Sequence, residues 1–387
     1  MATPLEELLA RYLALGTING AVALLGRDPD VEVVSVGVAS AGGGAMPIDA
    51  IMRIQSMTKV ITSIAALRLV AGGSTRGATP DPPLSLDQSV VKWLPELANR
   101  RVLRDPTGPL NDTVPASHDI TLRHLMTNTS GYGIAVTESP LQRAMADNGT
   151  EVGAEPPPIG ADEWVARLAE LPLAFQPGEG WRYHHSYALL GVLLARLTGR
   201  PLDEHLAEDV FGPLGMTDTA LSVPESKLER LPAAYRHGED GLVEVEPAGG
   251  GFYAGPPPFD VSHGELVSTV SDFHRITRLL VNRGRVDGTG EFLPAALVDE
   301  LTRDQVPASS KTPDSFYPGF WDGMGWGFGV AVHIDGPHRG RYGWSGGQGT
   351  DFFVDPDGTV GILLTQAEMG QQMWPLLQDF QSLSPAS

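Results

Sequence analysis

The sequence predicts an α+β protein with an antiparallel sheet flanked by helices and an inserted, mainly helical lobe. Strand-like runs lie near both ends of the chain, whereas helix-like patterns and loops rich in proline and glycine fill the middle. The 387 residues are enough for one large domain or two closely joined ones. We expect residues 1–75 and 255–387 to form the sheet-containing lobe and residues 76–254 to form the helical lobe. A cleft between two lobes is a common place for a small-molecule site.

The first elements are a helix, a hairpin and a second helix. "MATPLEELLARYLALG" has Glu6 and Glu7 among its leucines, which indicates a short amphipathic helix and not an export signal. Two β-rich runs then flank "RDPD", which predicts a hairpin. In "SMTKVITSIAALRLVAGG" apolar residues recur at helical spacing, and the two glycines at its end predict the end of the helix.

Helical patterns continue through the middle, and the last part of the chain returns to strands. The predicted helices are in "TLRHLMTNTSGYG", "DEWVARLAELPL", "SYALLGVLLARLTG", "LDEHLAEDVFGPLG" and "STVSDFHRITRLLVNRG". The predicted strands are in "WGFGVAVHID" and on both sides of the "DPDG" turn in "DFFVDPDGTVGILLTQ", before a last helix in "QQMWPLLQDFQSL". One sheet that combines the N-terminal hairpin with these C-terminal strands accounts for the pattern.

The composition excludes several classes of function. A net charge of −20 repels nucleic acid phosphates and anionic membranes. The absence of cysteine excludes thiolate nucleophiles and thiolate-bound metals. No apolar run approaches the length of a membrane span. We therefore expect no nucleic acid or membrane partner and a cytoplasmic location, while a homo-oligomer stays open.

No metal and no cofactor are expected. His184 and His185 are adjacent in the chain, so their side chains point in different directions, and no H-E-x-x-H or comparable ligand set occurs. The glycine-rich "GMGWGFG" does not match the nucleotide-binding G-x-G-x-x-G pattern.

A serine and a lysine three residues apart, in "RIQSMTKV", are the first candidates for chemistry. Ser56 and Lys59 lie one turn apart at the predicted start of a helix, where free backbone N–H groups favour negative charge. A buried lysine can lose its proton near neutral pH and then accept the proton of the serine hydroxyl. The alternative is structural, with Ser56 as a helix cap and Lys59 as a solvated side chain. The spacing alone leaves both interpretations open.

A second serine, Ser345 in "GWSGG", matches the G-x-S-x-G nucleophile elbow of α/β-hydrolases. In that fold the catalytic histidine follows the serine in the chain, but all 10 histidines precede residue 345 here. The elbow also requires a helix after the serine, whereas "TDFFVDPDGTV" indicates a strand and a turn. The sequence therefore argues against Ser345 as the nucleophile.

Two further segments supply candidate partners for Ser56. Tyr183 comes just before a predicted helix. Its phenolate would be favoured near a cationic lysine, which would make it a base, although a packed tyrosine is the structural alternative. "YGWSGGQGTDFFVDP" is a glycine-rich segment that leads into a strand, where backbone can approach a substrate closely. An N–H group there and that of Ser56 could form an oxyanion hole.

These segments, in this order, resemble the serine β-lactamase and penicillin-binding-protein superfamily. The closest likeness is to its class C-like branch, which contains the family VIII carboxylesterases. "SMTK" matches the S-x-x-K box, "ITLRHLMTNTSGYG" is similar to a "LLTHTSGL" segment, and "PGEGWRYHHSYALLG" is similar to the segment around the Y-x-N box. "HGELVSTVSDFHRITRLLVNRG" and "GWSGGQGTDFFVDP" resemble later blocks. The resemblance covers nearly the whole chain and implies a β-lactamase-like fold.

The resemblance implies roles for individual residues. Ser56 would be the acylated nucleophile, Lys59 its proton partner, and Tyr183 the shared general base and acid. The backbone N–H groups of Ser56 and Gly347 would bind the oxyanion. No cofactor is implied.

The family's third sequence motif, called the third box here, departs in this chain from the β-lactamase pattern. Trp344, Ser345 and Gly346 stand where β-lactamases have Lys-Thr-Gly, and His185 replaces the asparagine of Y-x-N. The resemblance implies that these residues contact the substrate. Family VIII esterases similarly carry a tryptophan at the first position of the box, which moves the expectation towards neutral esters.

Aromatic residues elsewhere are further candidates for an acyl or alcohol pocket, and Tyr132 and Tyr253 are included among the expected substrate-binding residues. The implied activity is a carboxylesterase that cleaves short-to-medium neutral esters through an acyl-enzyme. Three alternatives stay open: a β-lactamase or D-aminopeptidase-type amide hydrolase, an acyltransferase to a natural-product acceptor, and a non-catalytic relative. The presence of Ser56, Lys59 and Tyr183 argues against the last.

Overall fold

The computed structural model describes residues 2–73, 84–134, 137–151, 158–257, 265–288 and 290–385. Its strands are β1 (Gly20–Arg27), β2 (Asp30–Gly37), β3 (Met52–Arg53), β4 (Arg101–Leu103), β5 (Thr113–Pro115), β6 (Ala234–Gly238), β7 (Gly241–Glu246), β8 (Val267–Ser268), β9 (Arg285–Val286), β10 (Gly290–Glu291), β11 (Met324–Trp326), β12 (Ala331–His333), β13 (Tyr342–Gly346), β14 (Thr350–Val354) and β15 (Val360–Thr365). Its α-helices are α1 (Pro4–Ala14), α2 (Thr58–Val70), α3 (Leu122–Met126), α4 (Pro140–Asp147), α5 (Ala161–Ala169), α6 (His185–Thr198), α7 (Leu202–Leu206), α8 (Gly212–Leu214), α9 (Val270–Val281), α10 (Ala295–Leu301) and α11 (Trp374–Gln381).

One antiparallel sheet combines strands from both ends of the chain. Its seven strands have the order β11-β12-β13-β14-β15-β1-β2. β1 pairs with β2 through the predicted hairpin, and on its other side it pairs with β15, with Ala21 opposite Thr365. The predicted α+β class and the predicted shared sheet are therefore confirmed.

Different helices cover the two faces of this sheet, because side chains alternate along each strand. Phe353 of β14 packs with Leu9 of α1 and Phe380 of α11 on what we call the outer face. Its neighbour Phe352 points the other way and contacts Phe273 of α9, with ring centroids 4.9 Å apart. Helix α2 belongs to the same core as Phe352, so the side of the sheet that carries α2 and α9 is called the inner face.

The middle of the chain is largely helical, as predicted, and contains α3 to α8. It also contains two small hairpins that the sequence patterns did not reveal, β4–β5 and β6–β7. "WGFGVAVHID" forms two short strands, β11 and β12, where one was predicted. The predicted boundary at residues 75 and 76 lies outside the described residues, and the boundary at 254 and 255 follows a short 3₁₀ turn, Phe252–Ala254. The division into two lobes stays a prediction.

Within the described ranges, the structure contains no helix with the length and apolar character needed to cross a membrane.

Candidate active site

Ser56 lies in a tight turn directly before α2. A 3₁₀ turn, Gln55–Met57, precedes the helix, so Ser56 stands two residues before the α-helix begins. Gln55 has a φ of 49°, a left-handed conformation that is uncommon for a residue with a side chain. The Gln55 amide donates a hydrogen bond to the Tyr253 hydroxyl over 2.9 Å. This contact holds the strained turn that presents the half-buried Ser56 side chain.

Lys59 is fully buried and reaches Ser56 from the first turn of α2. Its Nζ lies 3.0 Å from Ser56 Oγ. Burial lowers the pKa of Lys59 well below its ordinary value of 10.5, because the low-dielectric interior disfavours the charged form. The alternative of a solvated surface lysine is therefore wrong. A neutral amine beside a hydroxyl can accept the proton of that hydroxyl.

Tyr183 completes the group from the loop before α6. Lys59 Nζ lies 4.5 Å from the centroid of the Tyr183 ring. Burial raises the pKa of Tyr183 above its ordinary value, although hydrogen bonds with Ser56 and Trp344 act in the opposite direction. The sequence argument expected a phenolate near a cationic lysine. The structure corrects that expectation, because desolvation favours the neutral form of both groups.

A strained residue fixes where Tyr183 points. His184, which follows it and caps α6, has φ 96° and ψ −72°, a rare conformation for a residue other than glycine. Its carbonyl accepts a hydrogen bond from the backbone N–H of Tyr187 over 3.0 Å. Such local strain persists only where surrounding structure enforces it, and it often accompanies functional sites.

Trp344 contacts Tyr183 directly from β13. Its indole Nε1 donates a hydrogen bond to the Tyr183 hydroxyl oxygen over 2.6 Å. Both rings belong to an aromatic cluster that also contains Trp181, Phe316, Phe320, Trp321 and Trp326. Within this cluster, Trp344 and Trp326 pack edge to face with centroids 4.7 Å apart. The wall beside Tyr183 is therefore apolar, with one N–H donor committed to the tyrosine.

The end of β13 packs against the Ser56 turn, which brings the glycine-rich segment to the site. The Thr350 hydroxyl donates a hydrogen bond to the carbonyl of Ile54 over 3.1 Å. A Cβ atom at Gly346 would collide with this same carbonyl oxygen. At the exposed Gly347, the nearest atom to such a Cβ would be Gln55 Oε1 at 3.6 Å. Gly347 thus stands beside the residue that precedes Ser56.

Ser345 lies on the opposite face of β13 from Trp344, which contacts Tyr183, contrary to the expectation that Ser345 contacts the substrate. It lies opposite Asp351 in the β13–β14 pair, and its Oγ donates a hydrogen bond to Asp351 Oδ1 over 2.7 Å. Because β13 leads into β14 and not into a helix, the structure also lacks the strand–turn–helix geometry of a nucleophile elbow at Ser345.

Three other expected substrate-binding residues are buried in packing roles. Tyr132 is fully buried and its hydroxyl donates to the Leu171 carbonyl over 3.2 Å. His185 is buried, with Nε2 3.0 Å from the Thr150 carbonyl oxygen. Tyr253 is also buried, and it meets the site only through Gln55. A side chain without accessible surface cannot touch a substrate in this conformation, so these expectations are corrected.

The sequence reasoning missed Gln55, Trp181 and Phe316. The ring centroids of Phe316 and Tyr183 are 5.1 Å apart, and those of Trp181 and Tyr183 are 6.0 Å apart. Trp181 precedes Tyr183 by two residues, a spacing that places both on one side of an extended segment and could have identified it. In the part of the chain that the structure describes, no three His, Asp or Glu side chains are grouped to hold a metal ion.

Comparison with known proteins identifies the family of this chain. The Beta-lactamase family model matches residues 5–373. The chain belongs to the beta-lactamase family. Protein Rv1367c of Mycobacterium tuberculosis is 34% identical over 361 residues, which are 90% of this chain and 85% of that protein. Esterase EstB of Burkholderia gladioli is 30% identical over 391 residues, covering 94% of this chain and 90% of that member.

The family fold is also found among solved structures. EstCE1, described as a hydrolase with promiscuous acyltransferase activity, aligns with a TM-score of 0.75 and 23% identity. The alignment covers 97% of this chain and 96% of EstCE1. At this identity the likeness shows the fold, so the beta-lactamase-like architecture extends over nearly the entire chain.

Proposed function

We propose that this protein is a serine carboxylesterase that cleaves short-to-medium neutral esters through an acyl-enzyme on Ser56. The observation that carries the proposal is the 3.0 Å contact between Ser56 Oγ and the buried Lys59 Nζ, with Tyr183 beside both. A buried, neutral amine within hydrogen-bonding distance of a hydroxyl is the arrangement that activates a serine. The similarity to Esterase EstB supports the same activity.

Acylation follows from the protonation states that burial favours. Ser56 Oγ attacks the ester carbonyl while its proton passes to the neutral Lys59 amine. The backbone N–H groups of Ser56 and Gly347 bind the oxyanion that forms. When the intermediate collapses, the carbon–oxygen bond to the alcohol breaks and the Tyr183 hydroxyl protonates the leaving oxygen. A proton from the Lys59 ammonium then restores the Tyr183 phenol.

Deacylation repeats these steps with water as the nucleophile. Water attacks the acyl carbon and gives a proton to Lys59, and the bond between Ser56 Oγ and that carbon then breaks. Tyr183 returns a proton to Ser56 Oγ, and Lys59 restores the phenol. Atoms and charges balance without any further group.

Trp344 supports a neutral substrate. β-Lactams and peptidase substrates carry a carboxylate, which a lysine in the third box would meet. An indole has one donor and a large apolar face, and here the donor is occupied by Tyr183. The aromatic cluster around it suits an uncharged acyl or alcohol group.

Acyl transfer is the second candidate. EstCE1, with the same fold, is described as having promiscuous acyltransferase activity. The difference between hydrolysis and transfer lies in which nucleophile reaches the acyl-enzyme first. The apolar wall formed by Phe316 and Trp344 favours an organic alcohol over water at that step.

A labelling experiment tests the nucleophile. The wild-type enzyme is incubated with a fluorophosphonate probe and mapped by peptide mass spectrometry, and p-nitrophenyl butyrate hydrolysis is measured in parallel. We expect the label on Ser56, and no label or hydrolysis in Ser56→Ala. Ser345→Ala is the matched control and should retain measurable turnover, because its hydroxyl faces Asp351. Label on Ser345, or full activity in Ser56→Ala, contradicts the proposal.

A further inference from the structure

A cavity of about 390 Å³ lies beside the outer face of the sheet, and it has no part in the proposed mechanism. Strands β12 to β14, helix α11 and the loop before β11 enclose it. Phe353 and Leu377, which belong to the core of the outer face, form part of its wall. Trp344, which donates to Tyr183, lines the cavity, but Ser56, Lys59 and Tyr183 do not. A cavity of this size is large enough for a small organic molecule.

Two aromatic side chains stand at the opening of the cavity. Tyr317 from the loop and Trp374 from the start of α11 are 41% and 40% exposed. Their rings meet edge to face, with centroids 5.7 Å apart. Large aromatic rings exposed together at a concave opening are typical of ligand sites, because they offer apolar surface that water leaves readily. This pair favours a ligand with a flat ring.

The polar part of the cavity wall, which includes Gln378, offers one hydrogen-bond acceptor on β13. Ser345 lines it, is half-buried, and donates its hydroxyl hydrogen to Asp351. Gln381 Nε2 donates to the other carboxylate oxygen over 3.0 Å. Burial raises the pKa of Asp351 to about 6, so the carboxylate form dominates at neutral pH. With its hydrogen committed to Asp351, the Ser345 oxygen can only accept a hydrogen bond from a ligand.

The basic residues that line the cavity do not make it a site for an anion. Arg341 is buried and binds Asp355 through Nε and Nη2 at 2.7 and 2.8 Å, and Nη1 donates to the Gln381 carbonyl. The pKa of His333 is lowered by burial and by the nearby Arg341 and His338. Arg341 is thus committed and His333 is neutral at pH 7. A ligand that donates hydrogen bonds or carries positive charge is favoured over an anion.

We propose that this cavity is a second ligand site, which binds a small aromatic amine with its ring against Tyr317 and Trp374 and its N–H groups on Ser345 Oγ. An ammonium near these rings gains cation–π attraction, and the Asp351 carboxylate behind Ser345 stabilises its charge. The cavity adjoins the candidate active site, because Trp344 lines it and also donates a hydrogen bond to Tyr183.

Isothermal titration calorimetry with tryptamine tests this site. We expect saturable binding to the wild-type protein and, with the same affinity, to Ser56→Ala, because the catalytic serine is not involved. Trp374→Ala and Tyr317→Ala should each raise the dissociation constant about tenfold or more. Tyr317→Phe, which keeps the ring, is the matched control and should bind as the wild-type protein does.

A second probe distinguishes the contribution of the amine to binding from that of the ring. Ser345→Ala should weaken tryptamine binding but leave the binding of 3-methylindole unchanged, because that probe shares the indole ring and its N–H group with tryptamine but lacks the ammonium group that Ser345 Oγ accepts from. The proposal is overturned if tryptamine does not bind, or if Trp374→Ala and Tyr317→Ala bind it as the wild type does. It is also overturned if Trp374→Ala dissociates an oligomer, since the aromatic pair would then belong to an interface between copies.

Discussion

At the scale of single residues, burial favours the neutral form of the two groups nearest to Ser56. It lowers the pKa of Lys59 and raises the pKa of Tyr183. The pair therefore enters the reaction as an amine and a phenol, one able to accept a proton and the other able to donate one. With Lys59 alone, no acid would protonate the leaving oxygen. With Tyr183 alone, no base would accept the proton of Ser56.

Removing either partner should therefore disable the enzyme. Lys59→Ala and Tyr183→Phe are each expected to lower kcat for p-nitrophenyl butyrate by roughly 10² to 10⁴-fold. The double variant should lose little more than the worse single variant, because the two residues act as a unit. Steady-state kinetics on the three variants provides the comparison. Wild-type kcat in Tyr183→Phe would remove the tyrosine from the mechanism.

The Trp344 indole should support Tyr183 as an acid. Its Nε1 donates to the Tyr183 hydroxyl oxygen and so stabilises the negative charge that this oxygen carries once its proton has left. Trp344→Phe removes the donor and should lower kcat for p-nitrophenyl butyrate about tenfold. The acid limb of kcat against pH, which Lys59 sets, should stay in place in the variant.

Trp344→His is the companion variant for this measurement, because an imidazole N–H can replace the lost donor. Wild-type kcat in Trp344→Phe would show that the 2.6 Å contact does not act on Tyr183.

At the scale of elements, the end of β13 and the turn before α2 form one unit. The Ile54 carbonyl accepts from Thr350 and sits against Gly346, so neither segment can shift alone. These contacts keep Ser56 and Gly347 close to each other. Positioning of this kind determines whether backbone donors meet an oxyanion.

Two adjacent glycines give a matched test of this unit. Gly346→Ala would drive a methyl group into the Ile54 carbonyl and the Thr350 hydroxyl, and should cost about 1 to 3 kcal/mol of unfolding free energy as well as activity. Gly347→Ala, whose Cβ meets nothing closer than 3.6 Å, keeps its backbone N–H and should stay close to wild-type stability. Chemical denaturation measures both. Equal stability of the two variants would contradict the close packing of β13 on the turn.

Local patterns predicted the elements that depend on neighbours in the sequence. The β1–β2 hairpin, α1 and α2 agree with the patterns because turn residues and apolar spacing define them locally. The small hairpins β4–β5 and β6–β7 were not predicted. Strands β4 and β5 have three residues each, which is too short to show a period, and the valines that alternate with glutamates in β7 are exposed, so no buried face marks that strand.

The candidate site was less predictable from the sequence than the local secondary structure. The spacing of Ser56 and Lys59 indicated the pair, but burial of the lysine depends on the packing of α2 against distant segments, which spacing does not specify. The direction of Ser345 depends on strand register, since a shift of one residue would turn it to the inner face. Tyr132 and His185 fit aromatic or polar roles equally well until the core around them is known.

At the scale of the whole molecule, charge and site chemistry point to the same substrates. The net charge of −20 repels anionic molecules before they reach the protein. At the site itself, Trp344 provides no cation for a carboxylate. Both effects act against penicillins and D-Ala-D-Ala peptides and leave neutral esters unaffected.

We therefore expect p-nitrophenyl esters to exceed these anionic substrates by at least about two orders of magnitude in kcat/KM, on the order of 3 kcal/mol in transition-state stabilisation. The comparison uses one enzyme preparation with nitrocefin, benzylpenicillin and p-nitrophenyl acetate to octanoate. Repeating it at higher salt, which screens long-range repulsion, isolates the contribution of net charge. A β-lactam as the best substrate would contradict the esterase assignment.

The pairing of β1 with β15 affects when the protein can fold during its synthesis on the ribosome. Residues 21 and 365 are neighbours in the sheet, so β1 cannot pair with β15 until residue 365 has been synthesised. Domains generally fold as units once their long-range contacts become available. Ser56 emerges early, but β13, which packs against its turn, is synthesised late. A nascent chain that has not reached β13 therefore carries Ser56 without the strand that packs against its turn.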